Sequence, residues 1–237
     1  MDRSSRSDAL PSRADALERA ASAPRERLCG DDLGAVERAI WDELVRAIQQ
    51  RPAAGAPAHA WRRAVLATTD ADGPQVRSVV LRDIDRARRA LLFYTDARSA
   101  KVGQLRHDPR AQLLCWSEAL GWQIRLRCQI GIETSGLDVT ARWAQVRHSP
   151  AAQDYLSPLA PGAAIGAPFG AWRSVVGMNA APAATAAGRT PPPMTDHPRD
   201  SFAVLTARVE AIDWLELHPE GHRRARFEAG NAHWLVP

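Results

Sequence analysis

From Asp31 onward the apolar positions recur at helical spacing. Leu33, Val36, Ile40, Leu44 and Ile48 fall three or four residues apart, which places them on one face of an amphipathic helix. Asp31 and Asp32 offer an N-cap and a first-turn acid, and Pro52 ends the segment. Beyond it the period shortens to two. RRAVLATT (62–69), QVRSVVLRD (75–83), ALLFYT (90–95), AQLLCW (111–116) and WQIRLRCQIGIE (122–133) read as strands, the first two joined by an Asp72-Gly73-Pro74 turn. SFAVLTARVEAIDWLEL (201–217) resumes the pattern, the turn His218-Pro219-Glu220-Gly221 follows, and HRRARFEA and AHWLVP complete the chain. Two short helices interrupt the strands. One is capped by Ser99 and stopped at Asp108-Pro109; the other starts near Ser135 and ends before Pro150.

About seven hairpin-linked strands with few helices between them predict a mainly β fold, an antiparallel barrel with peripheral helices. The absence of βαβ alternation and of GxGxxG argues against a dinucleotide-binding sheet. Residues 1–30, rich in Ser, Arg, Asp and Ala, read as a mobile arm, and residues 31–237 as one domain. Within that domain 24 of the 43 residues from 157 to 199 are Pro, Ala or Gly, which marks a long loop.

Composition narrows the setting. The chain has 237 residues, 45% hydrophobic and 24% charged, the profile of a folded domain. Cys29, Cys115 and Cys128 form no CxxC pair, which argues against a disulfide framework or a structural zinc site and fits a reducing compartment. The charged N-terminus has no apolar signal region, and no run approaches the ~18 apolar residues of a membrane span. The expectation is a cytoplasmic protein with no membrane partner. A net charge of +4 is too weak a field to argue for nucleic acid, which would also need exposed aromatics; Phe93, Tyr94 and Trp122 read as buried.

GxSxG, HExxH and phosphate-loop patterns are missing, no metal ligand set emerges from the seven histidines, and no catalytic residue can be assigned. Local charge is more informative. Arg77 to Arg110 carries nine cations against four carboxylates, a surplus larger than that of the whole chain. Arg86, Arg88, Arg89 and Arg106 fit a solvated surface. Arg77 instead lies within a strand among Val76, Val79, Val80 and Leu81, where an unpaired charge is costly. Lys101, the sole lysine beside 30 arginines, falls in the first turn of the short helix. Orphan N–H groups and the positive dipole end favour an anion there, so Arg77, Ser99 and Lys101 could cradle a phosphate. A plain surface helix is the alternative. On the strand 122–133, Gln123, Arg125 and Arg127 alternate with Trp122, Ile124 and Leu126, giving a polar face that could line a ligand, a subunit interface or solvent.

RSVVLR (77–82), FYTDARSAK (93–101), Trp122-Gln123-Ile124, Trp214 with HRRARF, and the terminal WLVP together resemble the pyridoxamine 5'-phosphate oxidase-like FMN-binding family, from about Trp61 to Pro237 without 157–199. The resemblance implies a split-barrel homodimer with FMN at the interface. Arg77 and Lys101 would hold the FMN phosphate with Ser99 beside them, Arg82 would belong to the cofactor site as well, and the backbone of Val79, Val80 and Leu81 would run along the flavin. Tyr94, Thr95, Gln123, Trp214 and Arg226 would complete the cofactor site, some from the partner subunit. For a small-molecule substrate it implies Arg82, Trp143, Arg147, His222 and Arg224. Several of these depart from the family pattern: Arg82 stands for a lysine, Trp143 for a tyrosine, Ala151 for a serine, and His222 and Arg224 exchange an Arg-x-His pair. The departures resemble the divergent, oxidase-related branch more than the vitamin B6 enzyme. The reading is therefore an FMN-dependent oxidoreductase, with a non-catalytic holder of FMN or another planar cofactor as the alternative.

Overall fold

The computed structural model describes residues 27, 29–50, 57–149, 152, 155, 157, 159–164 and 201–237. The first helix, α1 (Leu33–Gln49), starts where Asp32 accepts hydrogen bonds from the Gly34 and Ala35 N–H groups, satisfying two of the orphan donors of a helix start. Its stripe of Val36, Ile40, Leu44 and Ala47 is buried in the main core. Glu43 is buried on the same helix, where Arg46 pairs with it and His59 Nε2 lies 2.6 Å from its Oε1. Within the stretch 1–30 read as an arm, Arg223 donates to the carbonyls of Cys29 and Gly30 and pairs with Asp31, and Arg27 donates to Gly221. Residues 1–26 and 28 lie outside the described residues, as does most of the 157–199 loop.

Eight strands form one sheet: β1 (Arg63–Asp70), β2 (Gly73–Asp85), β3 (Ala90–Asp96), β4 (Arg110–Ser117), β5 (Trp122–Glu133), β6 (Phe202–Glu216), β7 (Arg223–Glu228) and β8 (Asn231–Leu235). Every pairing is antiparallel. The spatial order is β3-β2-β1-β4-β5-β6-β7-β8, and a β3–β6 pairing closes the first six into a barrel. Strand β6 makes closure possible through its 15 residues: its start pairs with β3, its end with β7, and β5 runs along its other edge. Alternation puts one row of each strand inside, as the register Leu66, Leu113, Leu126, Ile212 shows. At one end of the core, Trp122 packs against both Trp61 and Trp214, and its indole N–H donates to Glu216 at 3.0 Å.

Two helices complete the described part: α2 (Ala100–His107), which covers β1 and β5, and α3 (Leu137–Val146), which packs on β6. A second, smaller core gathers Leu92, Val139, Val146, Tyr155, Phe202 and Val204 beneath α3. The β1–β2 hairpin turns at Asp70↔Gly73, where Gly73 has φ +104°. A Cβ there would meet open space, so Gly73→Ala is expected to cost about 1–2 kcal/mol through backbone strain alone, measurable by urea denaturation, with the fold retained.

Candidate functional site

The barrel is open along one edge. Strand β2 pairs with β1 over Gly73–Val80 but with β3 only over Leu81–Asp85. Across that opening lie the end of β3 and the start of α2, with Arg77 facing them. Arg77 shares its register row with Leu66, so it points inward at the mouth of the barrel, where Thr68 and Gln104 meet it. Its Nη1 donates to the Thr68 hydroxyl, and its Nη2 donates to Gln104 Oε1 at 2.9 Å. Lys101 Nζ donates to Thr95 Oγ1 at 2.9 Å and Ser99 Oγ at 3.1 Å. Ser99 stands at the N-cap of α2, yet its hydroxyl makes no capping bond; it accepts from Lys101 instead.

Most of the described arginines are paired with a carboxylate, unlike this cradle. Arg86, Arg88, Arg89, Arg98, Arg110, Arg125, Arg142 and Arg223 each pair with a carboxylate. Arg77 and Lys101 are held by hydroxyl and amide oxygens. Burial lowers the Lys101 pKa, the Arg77 charge lowers it further, and Asp96 opposes both. Burial lowers the Arg77 value as well, against the pull of Asp70. A guanidinium has five N–H donors and an ammonium three, so each keeps donors beyond its protein bonds. Two cations offering hydrogen bonds from a partly desolvated mouth fit a phosphate dianion. Thr68 and Gln104 escaped the sequence reading; the available signals were the inward parity of Thr68 on β1 and the three-residue step from Lys101 to Gln104.

The remaining expected cofactor residues spread over both faces of the sheet. Val79 and Leu81 are buried inside, and Val80 looks outward opposite Arg63. Arg82 is the extra residue of a bulge between Leu81 and Asp83, a device that re-aims a side chain. Its guanidinium lies 5.8 Å over the Tyr94 ring. Gln123 and Arg226 belong to the outward rows, Gln123 opposite Trp116 and Leu215, Arg226 opposite Asp213. Within one chain they therefore do not join Arg77 and Lys101. Trp214 is 0% exposed and packed between Trp122 and Trp234, so it supports the wall and presents no face of its own to a ligand.

The substrate-side residues divide in the same way. Trp143 packs on Phe202 and Tyr155, and Phe202 touches Tyr94, which links Trp143 to Arg82 through aromatic contacts. Arg147 is exposed at the end of α3. His222 and Arg224 lie far along the sheet at β7. His222 stands four residues from His218 but in a turn, its Nδ1 accepting the His218 N–H. Arg224 pairs with Asp213, which Arg125 also holds. Ala151 lies outside the described residues. Beside Arg82, a cleft of about 530 Å³ is lined by Asp83, Asp85, Glu133 and Asp138 with Arg86, Arg88 and Arg142; its carboxylates make it a poor anion site.

Burial of the Asp213 carboxyl opposes ionisation, but hydrogen bonds from Arg224 and Arg125 and their charges outweigh it, holding Asp213 below the ordinary range. A depressed native value stabilises the fold above the unfolded pKa near 3.9 and loses that contribution as pH falls through the native value. Asp213→Asn should therefore flatten the acid limb of a stability–pH curve below about pH 4, read by urea denaturation.

Fold and site together define a split-barrel protein with a cationic cradle at the opening of the barrel. Residues 38–134 match the family model of the pyridoxamine 5'-phosphate oxidase, FMN-binding domain, and over that stretch the chain is similar to that family. A curated relative, the pyridoxine/pyridoxamine 5'-phosphate oxidase of Maricaulis maris (strain MCS10), is 44% identical over 63 residues, 26% of this chain and 28% of that protein. The match thus spans under a third of the relative's length. Among solved structures, a pyridoxamine 5'-phosphate oxidase-related, FMN binding protein from Nostoc punctiforme PCC 73102 superposes with a TM-score of 0.57 at 23% identity, over 88% of this chain and 99% of that one. PhzG from Burkholderia lata 383, solved in complex with tetrahydrophenazine-1-carboxylic acid, gives 0.58 at 19% identity, over 97% and 98%. At these identities the two structures speak to the fold.

Proposed function

We propose that this chain is a cytoplasmic FMN-dependent oxidoreductase of the pyridoxamine 5'-phosphate oxidase-like type, working as a homodimer with the flavin between two copies. The observation that carries the reading is the cradle: Arg77 and Lys101, with Thr95 and Ser99 beside them, present donors without a competing carboxylate at the opening of the barrel. They would hold the phosphate. The β2 edge at Val79 and Val80, unpaired on the β3 side, leaves backbone polar groups for the ring system, with Arg82 and Tyr94 at its end. Gln123 and Arg226 sit on the opposite face, so one flavin meets both groups if a second copy supplies them. When bound, FMN accepts a hydride and passes electrons to an acceptor. The protein's part is to bind the phosphate, orient the ring and present positive charge near it.

A second reading, a holder of FMN or another planar cofactor without turnover, is favoured by the substrate side. Trp143 is taken up in packing, His222 in a turn and Arg224 in an ion pair. The absorbance spectrum of the purified protein, followed by anaerobic addition of pyridoxamine 5'-phosphate, separates the readings. Flavin bands that bleach support the enzyme, bands that persist with every amine and alcohol donor tried support the holder, and no bands after incubation with FMN contradict the enzyme and leave only a holder of another planar cofactor.

A further inference from the structure

Gln104 belongs to none of the motifs that point to FMN, yet it joins every part of the Arg77 side of the cradle. It lies one turn after Lys101 on α2, so the two side chains are neighbours along the helix, with Val102 and Leu105 buried beside them. Its amide orientation follows from its neighbours. An ionised carboxylate only accepts hydrogen bonds, so the NH2 group faces Asp70, at 2.6 Å from Oδ2. The oxygen must then face the opposite way, where it accepts from Thr68 Oγ1 at 2.7 Å and from Arg77 Nη2 at 2.9 Å. The reverse orientation would set donor against donor and acceptor against acceptor. Because Thr68 gives its proton to Gln104, its oxygen is left to accept from Arg77. One amide therefore fixes both contacts that hold the guanidinium.

The same amide stands between opposite charges. Asp70 is anchored by Gln75 Nε2 at 3.3 Å and by the Asp72 N–H at 3.0 Å, and it is the carboxylate whose field reaches Arg77. A direct Arg77–Asp70 pair would compete with a phosphate for the guanidinium. We propose that Gln104 is a positioning residue that gives the cradle its preference for a phosphorylated ligand, by aiming Arg77 at the opening and keeping it off Asp70. This rests on the FMN reading above.

The test is titration of FMN and of riboflavin, which lacks the phosphate, into the wild type, Gln104→Ala, Gln104→Glu and the double variant Gln104→Ala/Asp70→Asn. Gln104→Ala should weaken FMN about tenfold, the loss of one charge-assisted contact, and leave riboflavin within about twofold. Gln104→Glu, nearly isosteric and so expected to fold, should weaken FMN further by placing a carboxylate on Arg77. Removing the competitor in the double variant should restore FMN to within about threefold of wild type. Equal weakening of FMN and riboflavin, or a double variant no tighter than Gln104→Ala, overturns the proposal, since a structural tie between β1 and α2 predicts both. If the wild type binds inorganic phosphate but no flavin, the FMN reading alone fails, and the same ranking is read from phosphate affinity. Binding of neither overturns both.

Discussion

Lys101→Ala should weaken FMN binding by about 10- to 100-fold while riboflavin binding changes little, as for the loss of a charged hydrogen-bonding group worth about 1.5–3 kcal/mol. The lysine makes no ion pair within the described residues, and its two partners are hydroxyls, so its removal strands no buried carboxylate. The folded state should tolerate it. The effect should also carry a pH signature. Only the ammonium form holds a phosphate, and burial together with Arg77 moves the Lys101 pKa below its ordinary value of 10.5. FMN affinity should therefore fall as pH rises through that lowered value, earlier than for an exposed lysine. The dependence disappears in Lys101→Ala. A wild-type affinity that stayed level up to pH 10.5 would place the phosphate elsewhere.

The largest effect on stability is expected at the tryptophan end of the barrel. Trp122 is 1% exposed, between Trp61 and Trp214. Truncation to alanine leaves a cavity that the closed barrel cannot collapse around, at a cost of about 3–5 kcal/mol. Glu216 keeps its Arg223 partner at 2.8 Å, so the lost indole bond adds little. For a domain of this size about 4 kcal/mol lowers the melting temperature by roughly 8–16 °C. Trp122→Phe, which keeps a ring but loses the N–H, should lose about half as much. Calorimetry on both variants checks the order; equal melting temperatures for Trp122→Ala and wild type would show that the aromatic chain carries no core energy.

What could be read from the chain follows from which signals are local. The strands show as two-residue alternation, and β5 begins and ends where its pattern does, at Trp122 and Glu133. Strand β2 runs further than its apolar stretch, to Asp85, because its end pairs with Leu92, Leu91 and Ala90 of β3 through Asp83, Ile84 and Asp85, of which only Ile84 is apolar. Eight strands are found where about seven were expected; β8, five residues with no buried member, has too little alternation to count. In the cradle, Arg77 and Lys101 were legible because a cation inside an apolar strand and a lone lysine at a helix start are locally odd. Thr68 and Gln104 were not. Polar residues at ordinary spacing become meaningful only when β1, β2 and α2 converge. The bulge that aims Arg82 at Tyr94 is likewise a product of strand register and leaves no mark in the sequence. Trp214 shows the reverse case: a residue singled out by a motif turns out to be enclosed in the core.

The most direct measurement of the central claim is the ratio of FMN to riboflavin affinity of the full-length protein, titrated by flavin fluorescence at low ionic strength and neutral pH. A cradle in which Arg77 and Lys101 both grip the phosphate predicts FMN bound at least about 100-fold more tightly, the worth of two charge-assisted contacts. Equal affinities for FMN and riboflavin would contradict it.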